Sequence, residues 1–246
     1  MLRPLSIAIL CSRRCPGAAE LLRDRRRGWR WRLAGVLTSE EDFTGRRLLE
    51  AAGISVVSHP IRDFYHRRRR PLSDLAVRRE YDEELVKVLS VYDADLVLLS
   101  GYLFRVTPPL LDAFGGRVVN VHGSDLTRLG TDGLPRYLGL RAIRDAVFAG
   151  EGETRATAHW VTDEIDLGPP IARSPAFPVP QRLRDARSRG DLAALKAGAR
   201  EHEERMLEEA WGPLWIEVIR LFGAHNIVPP PRCTRPLTRA AGEVAW

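Results

Sequence analysis

The sequence predicts an α/β protein in which a mostly parallel, Rossmann-like sheet is flanked by helices. Short apolar runs alternate with helical periodicities along the chain, and this alternation is typical of parallel strands joined by crossover helices. The first run, Leu5–Cys11, is apolar throughout, as expected of a strand that is buried on both faces. The chain has 246 residues and a hydrophobic content of 44%, which suffices for one sizeable domain.

Helical spacing, glycines and prolines define the elements in the first half of the chain. They are, in order, a helix over 17–27, a strand over 32–38, a short helix over 45–52, a strand over 54–58 and a polar, proline-containing loop over 59–73. Asp74 is the predicted N-cap of the next helix. That helix has one apolar stripe at helical spacing, formed by Tyr81, Leu85, Val88, Leu89 and Tyr92.

The second half continues the alternation. Its predicted elements are a strand over 95–101, a short helix that Pro108 opens, a central strand over 117–124, a glycine-containing loop over 123–138, a helix over 140–149, a strand over 156–161 and a segment over 170–179 that pairs beside it. A long amphipathic helix over 200–222 follows, and Pro213 would kink it. We therefore expect one domain over 1–225 and a poorly ordered, proline-containing tail over 226–246.

Charge and cysteine content exclude several classes of protein. The net charge is +6, and much of the excess lies in 23–32 and in the run Arg67–Arg70. Solvated surface arginine is the simplest interpretation, and attraction of anionic ligands such as phosphates is the alternative. No nucleic-acid-binding signature accompanies the charge, and no apolar run approaches the roughly 20 residues of a membrane span. The three cysteines show neither zinc spacing nor a disulfide framework. We expect a cytoplasmic protein that binds neither nucleic acid nor membrane.

Two polar side chains stand at the carboxyl end of the central strand, where open α/β sheets place their ligands. Asn120 and His122 are two residues apart and project to the same side. Further along, the strand over 156–161 is followed by an acidic loop that ends in Asp166-Leu167-Gly168-Pro169. Each residue alone would be assigned a structural role, but their joint order predicts an acyl-transfer site.

These motifs, in this order, resemble the folate-dependent formyltransferase family, and most of all its small phosphoribosylglycinamide formyltransferases. The likeness extends from about residue 5 to about residue 222. It implies that Asn120, His122 and Asp166 are the catalytic residues. It also implies 10-formyltetrahydrofolate as the cosubstrate, a small anionic amine as the acceptor, and no metal. The oligomeric state stays open, with a homodimer as one option.

Formyl transfer places negative charge on a carbonyl oxygen while an amine attacks the carbonyl carbon. A donor aimed at that oxygen contributes about 2.7–4 kcal/mol, and the Asn120 amide and a protonated His122 can both donate. A neighbouring carboxylate favours the charged imidazole, and Asp166 is the candidate for it. His122 could also carry a proton from the attacking amine to the leaving nitrogen.

The resemblance further implies a folate site. Its members are Asn120, Arg78 and five consecutive residues after the fourth strand, namely Tyr102, Leu103, Phe104, Arg105 and Val106. The five residues could instead cap the sheet, and Arg78 could be an exposed helix arginine. His159 lies in the middle of its strand, and we expect it to pack or to support the site.

The acceptor half of the site departs from the family. In place of a Gly-x-Gly-Ser-Asn turn after the first strand stands Ser12-Arg13-Arg14-Cys15-Pro16-Gly17, in which Pro16 lacks an amide donor. Arg13, Arg14 and Gly17 are the candidates for binding the substrate, since two arginines could hold a phosphate.

The loop after His122 is also longer than in the family, which leaves the acceptor open. Phosphoribosylglycinamide is the leading one. The alternatives are another amine, such as an amino sugar or an amino-acid derivative, hydrolysis of 10-formyltetrahydrofolate, and folate binding without activity.

Overall fold

A computed structural model describes residues 3–225, and in this range nine strands and eight helices alternate. The strands are β1 (Leu5–Cys11), β2 (Trp31–Thr38), β3 (Val56–Ser58), β4 (Leu96–Leu99), β5 (Val118–His122), β6 (Glu153–Thr154), β7 (Thr157–Trp160), β8 (Pro170–Arg173) and β9 (Phe177–Pro178). Seven of them form one sheet in the order β3-β2-β1-β4-β5-β7-β8. The first five pair in parallel, whereas β7 and β8 are antiparallel to their neighbours. The predicted fold class is confirmed.

Helices cover both faces of this sheet. They are α1 (Ala18–Arg23), α2 (Arg46–Ala51), α3 (Ile61–Arg67), α4 (Leu75–Val91), α5 (Pro108–Phe114), α6 (Ala142–Ala149), α7 (Gln181–Ser188) and α8 (Leu192–His225). Alternate residues of β1 divide the core between the two faces. Ile7 and Ile9 pack with Trp215 of α8, whereas Ala8 and Leu10 pack with Tyr81 of α4. None of the helices in residues 3–225 combines the length and the apolarity that crossing a membrane requires.

Local signals placed several elements correctly. Asp74 caps α4, because its Oδ1 accepts hydrogen bonds from the backbone N–H groups of Ala76 and Val77. Pro108 is the first residue of α5, a position in which its missing N–H costs no hydrogen bond.

The predicted loop over 59–73 is wrong, because it contains α3. Ile61, Phe64 and Tyr65 of α3 are at most 2% exposed, so this short helix is stabilised by burial against α4 and not by its own arginine-rich sequence. The helix α7 and the start of α8 at Leu192 were also missed.

The segment over 170–179 divides between two sheets. Its first residues form β8 beside β7, whereas β9 pairs with β6 in a separate two-stranded sheet. The tail predicted over 226–246 lies outside the described residues. Pro213 lies inside α8, which is a single helix across it; the expected kink stays a prediction.

The antiparallel pairing of β5 and β7 positions the site. In this register Asn120 lies opposite His159, and His122 lies opposite Thr157. The carboxyl end of β5 therefore lies beside β7, and the loop that follows β7 returns close to it.

Candidate active site

The side chains of Asn120 and His159 are joined across the β5–β7 pair. Asn120 Nδ2 lies 3.1 Å from His159 Nε2, and His159 Nδ1 lies 2.9 Å from the carbonyl oxygen of Trp160. A carbonyl oxygen only accepts, so the proton of the His159 ring is on Nδ1. Nε2 then accepts a hydrogen bond from the Asn120 amide. This hydrogen bond orients the Asn120 side chain. It uses one N–H of Nδ2, and the second N–H does not bind His159.

Burial keeps His159 neutral. The ring is 2% exposed, and the loss of hydration lowers its pKa from 6.5 to about 4; the nearby Asp166 carboxylate opposes this shift, and His122 adds to it. His159 was expected to pack or to support the site. It does both, since it is buried and holds the Asn120 amide.

His122 faces an acceptor at each ring nitrogen. Nδ1 is 3.3 Å from Asp166 Oδ2, and Nε2 donates to the carbonyl oxygen of Tyr137 at 3.0 Å. The side chains of His122 and Asp166 are only 7% and 10% exposed. A carboxylate and a carbonyl oxygen only accept, so a donor suits each of these two ring positions. The expected pairing of His122 with Asp166 is present in the structure.

A tight loop after β7 brings Asp166 to this position. Asp166 has a φ of +56°, a left-handed conformation that aspartate tolerates better than most residues. Two residues later, a Cβ on Gly168 would lie 1.7 Å from the carbonyl oxygen of Trp160, so only glycine lets the loop fold back onto β7. The fold of this loop therefore favours Asp166 and requires Gly168, in addition to the catalytic role expected of Asp166. Asp166 Oδ2 also accepts a hydrogen bond from the Gly139 amide at 2.8 Å.

The residues predicted to bind folate lie after β4 and at the start of α4. Tyr102 and Val106 are buried, whereas Leu103, Phe104 and Arg105 are partly exposed. The Leu103 amide donates to Ser12 Oγ, and Arg105 Nη2 donates to the carbonyl oxygen of Asp163. The segment therefore connects the turn after β1 with the acidic loop after β7. It lies near the catalytic candidates, because Leu99 at the end of β4 pairs with Asn120 of β5.

Arg78 is buried, so the alternative of an exposed helix arginine is wrong. It is 3% exposed, and its Nη1 has no hydrogen-bond partner among the described residues. Its guanidinium carbon lies 5.1–5.5 Å from the ring centres of Tyr65, Tyr81 and Phe104. A buried cation surrounded by aromatic rings, with a donor to spare, suits an anionic ligand.

Two groups near Arg78 keep this region polar. Asp82 is fully buried, and burial raises its pKa to about 6, while two hydrogen bonds from the N–H and hydroxyl of Thr107 oppose that shift. The hydroxyl of Tyr102 is buried without a partner in the described part of the chain, and burial raises its pKa.

The turn after β1 separates its two arginines. Arg14 forms an ion pair of 2.6 Å with Glu204 of α8, whereas the Arg13 side chain is exposed and has no recorded ion pair in residues 3–225. Gly17 packs under α8, because a Cβ there would lie 2.8 Å from the Gly212 backbone and 2.9 Å from Trp215. The structure thus gives Gly17 a packing role, and its role in substrate binding stays a prediction.

Some functional candidates could not be found by sequence reasoning. Tyr137 acts through its carbonyl oxygen, a group that every residue has, so its side chain gives no signal. Glu151 binds the Tyr137 hydroxyl and also Arg128 and Arg136, which lie in the loop before α6. Among the described residues, no group of three or more histidine, cysteine, aspartate and glutamate side chains is arranged to hold a metal ion.

Comparisons with known proteins match the chain to one family of sequences and to related solved structures. A sequence model of the formyl transferase family matches residues 5–183. The phosphoribosylglycinamide formyltransferase of Escherichia coli K12 is 36% identical over 102 residues, which are 41% of this chain and 44% of that protein. The formyltetrahydrofolate deformylase of Bacillus subtilis is 26% identical over 171 residues, or 68% of this chain and 52% of that protein. The match thus spans about half the length of these curated relatives.

A solved structure matches over more of its length. The glycinamide ribonucleotide transformylase 1 of Symbiobacterium toebii has a TM-score of 0.62 and an identity of 27%, and the match covers 89% of this chain and 88% of that one.

Proposed function

Since the chain belongs to the formyl transferase family, we propose that it transfers a formyl group from 10-formyltetrahydrofolate to the primary amine of a small acceptor, with phosphoribosylglycinamide as the leading acceptor. One observation carries the proposal. An oriented amide donor, Asn120, and an acid–base pair, His122 with Asp166, lie together at the carboxyl end of β5. Acyl transfer requires these two functions.

The oriented amide supplies the donor for the carbonyl oxygen. His159 takes one N–H of Asn120 Nδ2, and the other can donate to an oxygen that gains negative charge in the transition state. Because the neutral His159 fixes the amide beforehand, little reorganisation is needed when that charge develops.

The acid–base pair of His122 and Asp166 moves the proton. As the amine attacks the formyl carbon, the bond from that carbon to the folate nitrogen breaks. The amine loses a proton and the leaving nitrogen gains one. His122, held by Asp166, can donate to the carbonyl oxygen and pass the proton between the two nitrogens.

The folate half of the site fits an anionic ligand. 10-Formyltetrahydrofolate would supply the formyl carbon, and its glutamate carboxylates would give Arg78 Nη1 the acceptor that it lacks. Phe104, which is only partly buried and whose ring lies beside the Arg78 guanidinium, would give way to admit them. Tyr102, Leu103, Arg105 and Val106 would line the same segment.

Arg13 supports an anionic acceptor. It is the arginine of the turn after β1 that no carboxylate of the described residues neutralises, whereas Arg14 is committed to Glu204. A phosphate bound there would be held by charge and not by a glycine-rich backbone cradle, since Pro16 removes one amide donor from this turn.

The test is an assay of the purified protein with 10-formyltetrahydrofolate, with and without phosphoribosylglycinamide. We expect release of tetrahydrofolate that depends on the amine, and its loss in Asp166→Asn. Asp163→Asn is the matched control, because it removes an exposed carboxylate from the same loop. A protein that releases neither tetrahydrofolate nor formate with any amine would overturn the proposal.

Hydrolysis of 10-formyltetrahydrofolate is the second candidate. The formyltetrahydrofolate deformylase of Bacillus subtilis matches 68% of this chain, more than the 41% matched by the Escherichia coli formyltransferase. Water would then take the place of the amine at the same three residues, Asn120, His122 and Asp166. Formate release without an acceptor, unchanged when amines are added, identifies this activity.

A further inference from the structure

The loop over 123–139, called here the capping loop, covers His122. The carbonyl oxygen of Tyr137 accepts hydrogen bonds from His122 Nε2 at 3.0 Å and from Ser124 Oγ at 2.7 Å. Two residues later, the Gly139 amide donates to the Asp166 oxygen that lies beside His122 Nδ1. The end of the loop therefore contacts both members of the acid–base pair.

This contact occupies the hydrogen-bonding capacity of the ring. Nδ1 of His122 faces Asp166, and Nε2 donates to Tyr137. The ring has only these two nitrogens, so neither is directed at a substrate while the capping loop is in this position. A ligand that uses His122 must displace the Tyr137 carbonyl.

The carboxylate of Glu151, which lies outside the capping loop, binds three side chains of that loop. Glu151, whose side chain is 12% exposed, accepts hydrogen bonds from the Tyr137 hydroxyl and from Arg128, each at 2.9 Å, and forms an ion pair of 2.7 Å with Arg136. Tyr137 is therefore held at both ends, with its carbonyl on His122 and its hydroxyl on Glu151.

The Glu151 contacts close a small hairpin within the capping loop. Leu129 pairs with Pro135, the Gly130 amide donates to the carbonyl oxygen of Leu134, and the Arg136 amide donates to that of Arg128. Because Arg128 and Arg136 lie on the two sides of the hairpin, their shared carboxylate holds those sides together and supports the hydrogen bonds of the Gly130 and Arg136 amides. Release of Glu151 would free the hairpin and Tyr137 together.

We propose that Glu151 is a latch: it holds the capping loop in a resting state in which His122 is blocked, and the loop must open before His122 acts on a substrate. The proposal rests on the proposed function only for the role of His122. Glu151 is a positioning residue, since it acts on His122 through Tyr137.

Amide hydrogen exchange measures the latch without any substrate. In Glu151→Gln, we expect the amides of Gly130, Arg136 and Gly139 to exchange about tenfold faster or more. The Glu151 charge binds three groups at once. The two arginine contacts contribute less than buried pairs would, because Arg128 and Arg136 are 48% and 40% exposed, so the tenfold factor is expected from the three contacts together. Exchange in β1 should not change.

Two variants keep the exchange experiment decisive. Glu153→Gln is the matched control, because it removes a half-exposed carboxylate whose one ion pair within residues 3–225 is with Arg155. Tyr137→Phe removes the hydroxyl contact alone and should speed exchange less than Glu151→Gln does. If both Glu151→Gln and Tyr137→Phe leave the loop amides at wild-type rates, there is no latch.

Chemical modification connects the latch to His122. Diethyl pyrocarbonate should modify His122 faster in Glu151→Gln than in the wild type, by the same factor as the loop amides, while the exposed His66 reacts equally in both. Faster loop exchange with unchanged modification of His122 would show that the loop does not cap it and would overturn the proposal. Neither experiment uses folate or an amine, so the latch and the proposed function can fail independently.

Discussion

Replacement of His159 by leucine tests how the Asn120 amide is oriented. In the described part of the chain, Asn120 Nδ2 has one hydrogen-bond acceptor, the unprotonated Nε2 of His159. Leucine removes that acceptor and nearly preserves the buried volume, so the amide is free to rotate and to present its oxygen to the substrate. Full loss of one such donor costs about 2.7–4 kcal/mol, or 10²–10³ in kcat. We expect kcat to fall about 100-fold.

The assay separates chemistry from binding. Tetrahydrofolate release gives kcat and KM, and the Kd for folate is measured by calorimetry. The Kd should change little, because the donor acts on charge that develops only in the transition state. His159→Gln should recover most of the loss, since its Oε1 can accept from the Asn120 amide.

His202→Leu is the control. This histidine is also buried, but its Nε2 bonds Thr154, so its removal should lower stability and leave kcat of the folded protein unchanged. Wild-type kcat in His159→Leu would refute the reasoning, as would an equal loss of kcat in His202→Leu.

Three other measurements probe the site. His122→Ala and Asp166→Asn should each lower kcat about 100-fold or more and leave the folate Kd within about twofold, since both residues act on transition-state charge; steady-state kinetics and calorimetry decide, and equal losses of rate and affinity would contradict it. Arg13→Ala should raise the acceptor KM about tenfold, and Arg14→Ala much less because Arg14 already pairs with Glu204; equal effects would remove the distinction. The contribution of His159 to the free energy of unfolding should fall by about 3 kcal/mol from pH 7 to pH 4, because folding lowers the pKa of His159 to about 4 and the unfolded chain takes up the proton first. Asp82, whose pKa burial raises to about 6, acts in the opposite direction in both proteins, so the difference between wild type and His159→Gln in urea denaturation measures the contribution of His159; a difference that does not change with pH would contradict it.

Sequence reasoning succeeded where the signal is local. The both-face burial of Leu5–Cys11, the capping by Asp74 and the helix start at Pro108 depend on side chains a few residues apart, and all three are present in the structure. The reasoning failed at α3 because that helix is stabilised by packing against α4, which no local pattern records.

The site divides in the same way. Asn120 and His122 could be assigned because they share one side of one strand, and Asp166 because a motif marks it. The burial of Arg78 could not be predicted, since the adjacent Arg79 of the same helix is exposed and Arg78 is enclosed by Tyr65 and Phe104 from other segments.

By itself, the sequence determined the main alternation of strands and helices and the chemical groups that the strand ends carry, because burial periodicity, capping and turn chemistry act over short stretches of chain. Only the tertiary structure decided the antiparallel direction of β7, which pairs His159 with Asn120, and the return of the capping loop, which sets the Tyr137 carbonyl on His122. Both depend on contacts between distant parts of the chain, and the second involves a backbone atom that no side-chain pattern can reveal.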